Sequence, residues 1–172
     1  DLMAWNADAT RMPYRMHSEY LEQLCLSNAF ANGRFTALGE PIAPENITVP
    51  IFAVGTEWDH VAPWKSVYKI HLLTSGDVTF VLTNGGHNAG IVSEPGHKNR
   101  YYRFRTRTHG EPYRAPDDWQ QETPVTEGSW WPAWGQWLGE LSGGDRIAAP
   151  EHAGNAQYLP LCDAPGIYVH QA

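Results

Sequence analysis

Apolar positions recur at helical spacing near the start of the chain. Within Met16–Phe30 (MHSEYLEQLCLSNAF) they fall at Met16, Tyr20, Leu21, Leu24 and Cys25. That spacing predicts an amphipathic helix, which Gly33 would stop. Two continuous apolar runs follow, Val49–Gly55 (VPIFAVG) and Val78–Asn84 (VTFVLTN). Neither alternates, so both predict strands buried on both faces, as in a parallel sheet. Between them Pro63 heads WKSVYKIHLLT, and proline suits the first turn of a helix. Strand, loop, helix, strand spells a βαβ unit with a right-handed crossover.

Period two takes over in KNRYYRFRTRT, Lys98 to Thr108. Tyr102, Phe104 and Thr106 fall on one side and Arg103, Arg105 and Arg107 on the other. This predicts a strand with one wet face. After a proline-containing loop, Gly128–Gly143 reads as a helix with Trp130, Trp134, Trp137, Leu138 and Leu141 on one face. The last 29 residues carry Gly, Ala and Pro and end in YVHQA, a possible short strand.

Composition narrows the classes. The chain has 172 residues, 42% hydrophobic and 18% charged, which suits one packed domain and argues against disorder. Lys and Arg number 12 against 19 Asp and Glu, net −7, which argues against nucleic acid as the main partner. No apolar run approaches the roughly 20 residues of a membrane helix, and no signal-peptide pattern opens the chain. Two cysteines, Cys25 and Cys162, point to a reducing, cytoplasmic setting, each as a small structural hydrophobe. The first residue is Asp1, which leaves processing or excision from something longer.

The chemistry concentrates at two strand ends. GTEWDHVAP (Gly55–Pro63) puts Asp59 and His60 just past the first buried run, and NGGHNAG (Asn84–Gly90) puts His87 just past the second. Functional groups collect outside the carboxyl ends of strands in open α/β sheets. Asp59 reads either as a helix cap before Pro63 or as the carboxylate of a hydrolase-type triad, with His87 as its base. His60 either supports Asp59 or faces solvent. Asn88 is a further candidate for supporting the pair or touching substrate. A nucleophile should precede Asp59 in a G-x-[SC]-x-G elbow. Ser18, Cys25 and Ser27 are the candidates there, and none has flanking glycines. The eight histidines show no H-x-x-x-H or H-E-x-x-H spacing, so no metal site is expected.

At these motifs the chain resembles a known family. GTEWDHVAPWKSVYKI, GGHNAGIVSEPGHKNRYYR, GSWWPAWGQWL and APGIYVHQA are similar to the carboxyl-terminal part of class I poly(3-hydroxyalkanoate) synthases. DLMAWNADATRMPYRMHSEYLEQLCL resembles the segment just before it. The resemblance implies an α/β fold, the carboxyl-terminal portion of an α/β-hydrolase-type domain with a mostly parallel sheet flanked by helices. Residues 1–40 would be part of a helical cap or lid, and 41–172 the incomplete catalytic domain. It implies polymerisation of 3-hydroxyacyl-CoA, with 3-hydroxybutyryl-CoA the expected substrate, into polyester with release of CoA. A Cys–His–Asp triad would do this, with Asp59 and His87 as two members.

The family's G-x-C-x-G elbow is absent here. The nucleophile is therefore expected before Asp1, and this chain alone is expected to be inactive and poorly stable. No cofactor is expected. The implied partners are hydroxyacyl-CoA and the polyester chain, in a homodimer at cytoplasmic polymer granules. Two other classes remain open: another α/β-hydrolase, such as an esterase or depolymerase with a Ser elbow, and a non-catalytic granule-binding module. The stretch Lys98–Arg114 holds six of the 12 basic residues. It reads as the charged face of an edge strand or as a contact for CoA phosphates. The Trp face reads as core packing or as the lining of a polymer path.

Overall fold

The computed structural model describes residues 11–143, 146–151, 153–163, 166 and 167. Helix α1 spans Tyr14–Tyr20 and runs on as a π-helical turn, Leu21–Leu26. It is shorter than the spacing predicts, because Asn28 takes a left-handed φ of +47°. That lets the Ala29 N–H donate back to the Gln23 carbonyl at 2.6 Å, a left-handed stop five residues before Gly33. The expected apolar face stays largely open: Met16, Tyr20 and Leu21 are exposed. So are Cys25 and Cys162, which corrects the expectation that Cys25 is a buried core residue. Residues 35–42 form a hairpin, β1 (Phe35–Ala37) against β2 (Glu40–Ile42). Leu38 and Gly39 turn it with positive φ at both positions, the pairing a two-residue hairpin demands. The segment up to residue 40 is therefore not purely helical.

A four-stranded sheet follows: β3 (Ile51–Thr56), β4 (Val78–Thr83), β5 (Tyr101–Arg107) and β6 (Val125–Glu127), in that spatial order. β3 and β4 are parallel; β4–β5 and β5–β6 are antiparallel. Among the described residues the sheet is thus mixed rather than mostly parallel. Every β4 residue is buried, whereas Ile51–Val54 of β3 are only half-buried, because β3 lies at the edge of this sheet. Pro63 leads into two short helices, α2 (Trp64–Val67) and α3 (Ile70–Leu73), where one was expected.

Helices cover both faces. On one, α2, α3 and α4 (Pro116–Glu122) bring Trp64, Tyr68 and Trp119 around Phe80 and Leu82. On the other, α5 (Trp131–Leu141) and the turn before it bring Trp130 and Trp131 against Phe52, Val54, Val81 and Tyr102. His71 is buried on the first face. Burial, and next the nearby Arg107 charge, push its pKa from 6.5 down to about 4, so it is neutral at pH 7.

Two expectations need correction. The arginine side of β5 is not the wet one. Register places Arg103, Arg105 and Arg107 opposite Leu82, Phe80 and Val78, and all three are half-buried, while Phe104 and Thr106 are exposed. Arg103 donates to the Thr123 carbonyl and Arg107 to the Thr74 carbonyl. These are the C-terminal caps of α4 and α3, where cations suit the orphan carbonyls. Nor is β5 an edge strand where Tyr101–Arg103 pair with β6. The Trp face of α5 is core only in part. Trp130 and Trp137 pack on Phe52 at 6.2 and 5.4 Å between ring centroids, but Trp134, Leu138 and Leu141 are exposed. YVHQA lies outside the described residues.

Candidate active site

β3 and β4 run parallel and in register, so their carboxyl ends, Thr56 and Thr83, lie side by side. The two loops that leave them carry Asp59 and His87. The structure brings these together: His87 Nδ1 lies 2.8 Å from Asp59 Oδ2. The Asp59 side chain is 7% exposed and that of His87 47%, so the carboxylate is seated and the imidazole faces outward.

Asp59 is held from several sides. Oδ1 accepts the Val61 and Ala62 N–H groups, each at 2.8 Å. Oδ2 accepts the Thr56 hydroxyl at 3.3 Å as well as His87. These bonds close a tight turn ahead of the helix and do not cap it, since α2 begins at Trp64 with Pro63 as its cap residue and no side-chain cap bond. Of the two readings of Asp59, the structure keeps the one that faces His87. The Ala62 N–H first, then His87 and the Val61 N–H, hold its pKa at about 2 against the ordinary 3.8, with partial burial opposing them. An ionised carboxylate only accepts hydrogen bonds. Nδ1 of His87 therefore carries the proton, and Nε2 of the neutral ring keeps its lone pair on the outward side.

This gives a pH prediction. The native carboxyl binds protons less readily than the unfolded one, so stability rises with pH between the two pKa values. The contribution of Asp59 is full above 3.8 and is lost as pH falls through about 2. Unfolding midpoints of wild type and Asp59→Asn should converge across that window; a constant gap would contradict the assignment.

The His87 loop depends on two glycines. Gly85 sits at φ +107°, and a Cβ there would come within 2.9 Å of Gly90. A Cβ at Gly90 would run into the Thr56 side chain, 2.9 Å from its Cβ. The loop is pressed onto the strand that leads to Asp59, and only glycine permits it. Asn84 ties its base, donating to the Asn99 carbonyl at 2.8 Å and accepting the Tyr101 N–H at 3.2 Å.

His60 and Asn88 are both exposed. The Asn88 carbonyl accepts the Ile91 and Val92 N–H groups, so its backbone closes the turn. Thr56, and the indoles of Trp130 and Trp131, belong to the surroundings of the pair and were not read from the sequence. The glycines around His87 were their one local signal. Among the described residues no three His, Cys, Asp or Glu side chains gather as a metal site, and no helix is long and apolar enough to cross a membrane.

A mixed sheet with helices on both faces and an acid–imidazole pair at its parallel strand ends is consistent with part of an α/β-hydrolase-type fold. No protein-family profile matches the chain. It is similar to poly(3-hydroxyalkanoate) polymerase 2 of Ectopseudomonas oleovorans, 38% identical over 170 residues, which are 98% of this chain and 29% of that protein. The poly(3-hydroxyalkanoate) polymerase of Methylorubrum extorquens is 40% identical over 170 residues, 98% of this chain and 27% of that one. The polymerase subunit PhaC of Cupriavidus necator is 36% identical, with 98% and 28% covered. The chain belongs to the poly(3-hydroxyalkanoate) polymerase family and matches the carboxyl-terminal part of the catalytic domain. It spans less than a third of the length of the curated relatives it matches.

Proposed function

We propose that Asp59 and His87 are the acid and base of a Cys–His–Asp triad in a polymerase that joins 3-hydroxyacyl units from their CoA thioesters, 3-hydroxybutyryl-CoA among them. The observation that carries this is the 2.8 Å contact between an ionised, anchored Asp59 and an outward-facing His87. The family membership supplies the reaction class.

His87 Nε2 takes the proton of a cysteine thiol, and the thiolate attacks the thioester carbonyl. The C–S bond to CoA breaks, and the CoA thiolate leaves with the proton held on His87. A chain-end hydroxyl then attacks the acyl-enzyme. His87 accepts its proton, the ester forms and the cysteine thiol is restored. Both Asp59 oxygens are taken up by hydrogen bonds, and a carboxylate with so low a pKa is a weak base. Asp59 therefore orients His87 rather than activating the hydroxyl itself. Its charge stabilises the imidazolium.

The nucleophilic cysteine comes from sequence outside these residues, since Cys25 and Cys162 lie in no strand–helix elbow. The reaction needs no cofactor beyond the thioester. Residues 1–40 belong to a cap or lid, and the working enzyme is a homodimer at cytoplasmic polymer granules.

The test is CoA release and polymer formation from 3-hydroxybutyryl-CoA, by the intact polymerase and by this chain alone. The expected result is turnover by the first and none by the second. Hydrolysis without polymer would assign a hydrolase instead. Turnover by the chain alone that survives Cys25→Ala and Cys162→Ala would overturn the scheme.

A further inference from the structure

The turn that carries His87 is gripped from behind by three consecutive residues at the head of α5. Trp130 Nε1 donates to the Gly90 carbonyl at 3.1 Å, and Trp131 Nε1 to the Ile91 carbonyl at 2.9 Å. Ser129 Oγ donates to the Ser93 carbonyl and accepts the Trp131 N–H at 3.0 Å. Trp130 and Ser129 are buried, 6% and 9% exposed. An indole buried for packing alone gives no reason for two neighbouring rings to aim their single donors at two neighbouring carbonyls. The turn itself is closed by the Gly90 N–H to the Gly86 carbonyl at 2.9 Å and by the two bonds to Asn88. On its inner side Gly90 abuts Thr56, whose hydroxyl donates to Asp59.

We propose that Trp130 and Trp131 are positioning residues for His87. Their indole N–H groups hold the Gly86–Val92 turn against Thr56, which keeps the imidazole on Asp59. The chain of contact runs from the head of α5 through Gly90 and Thr56 to Asp59, and from Asp59 to His87. Remove the donors and the turn lifts away from the strand, so the Nδ1 hydrogen bond opens although Asp59 keeps its backbone donors. Trp134, one turn on, packs on Trp130 at 6.0 Å between centroids and is 42% exposed. It holds no part of this role and serves as the control.

The catalytic meaning of this clamp rests on His87 acting as the base, but its test does not. The experiment is proton NMR of the hydrogen-bonded His87 Nδ1 proton in the chain, assigned by its loss in His87→Gln. It is run in wild type, in Trp131→Phe, in Trp134→Phe, and with 3-benzothienylalanine at Trp130, which keeps the ring shape and replaces the N–H by sulfur. One lost hydrogen bond shifts an opening equilibrium by about fivefold. Exchange of the Nδ1 proton with water should therefore quicken about fivefold at either indole. The melting temperature of the benzothienyl variant should stay near that of wild type, and Trp134→Phe should exchange as wild type. In the intact polymerase the same variants should lower kcat with KM little changed. Unchanged exchange in both single variants would overturn the proposal. So would faster exchange matched by an equal effect in Trp134→Phe, since the indoles would then act only through packing.

Discussion

Replacing His87 by Ala in the intact polymerase is expected to slow CoA release by about 10²–10⁴-fold, the usual worth of a positioned general base. The fold should be untouched. Almost half of the imidazole is exposed, and the turn beneath it is closed by its own backbone bonds, so truncation leaves neither a void nor an orphaned buried partner. Oδ2 of Asp59 loses one donor and keeps the Thr56 hydroxyl. Circular dichroism and melting should match wild type while single-turnover CoA release collapses.

Asp59→Asn should fail by a different route. The Asn oxygen can still accept the Val61 and Ala62 N–H groups, which turns its amide N–H toward His87. Nδ1 must then accept, the proton moves to Nε2, and the ring presents no lone pair to a thiol. A full rate in Asp59→Asn would show that Asp59 does not set the tautomer.

The pair was legible because each member stands one short loop past a strand that its apolar run announces. Val78–Thr83 is central, so its apolar content reports burial directly; Ile51–Thr56 gives the same signal although it is only half-buried. What was hidden depends on contacts between distant positions. The arginines of β5 alternate as a wet face would, yet they reach helix C-terminal carbonyls at Thr74 and Thr123, 30 or so residues back for one and about 20 ahead for the other. No local period carries that. The Trp stripe gave the helix and its apolar face. It could not tell that two of the indoles act as donors to the His87 turn. The helix at the start ends short of the predicted length because Asn28 takes a left-handed φ before Gly33 does. Residues 35–42 were missed because Leu38 is an uncommon hairpin residue at positive φ.

Phe80→Ala is expected to have the largest effect on stability, about 3–5 kcal/mol, a large share of the roughly 5–15 kcal/mol that holds a domain together. Phe80 is 0% exposed. Its ring is enclosed by Tyr68 at 5.0 Å, Trp119 at 5.2 Å, His71 at 5.9 Å and Trp64 at 6.4 Å between centroids. The walls cannot close on the space. β4 is pinned on both sides by β3 and β5, and Gly55 offers no side chain to move in, although its backbone lies against the ring tip. The cavity term therefore adds to the transfer term. Urea denaturation should show the midpoint falling at constant m. Phe104→Ala, at 41% exposure on the opposite face, should cost far less, which separates burial from aromatic content. His71 supplies an independent readout of the same void. Its pKa of about 4 depends first on burial against these rings. Water admitted where Phe80 stood would solvate the imidazolium, and the pKa should climb toward 6.5. A pKa that stays near 4 in Phe80→Ala would mean that the walls collapse after all, and the stability loss should then fall to the lower end of the range.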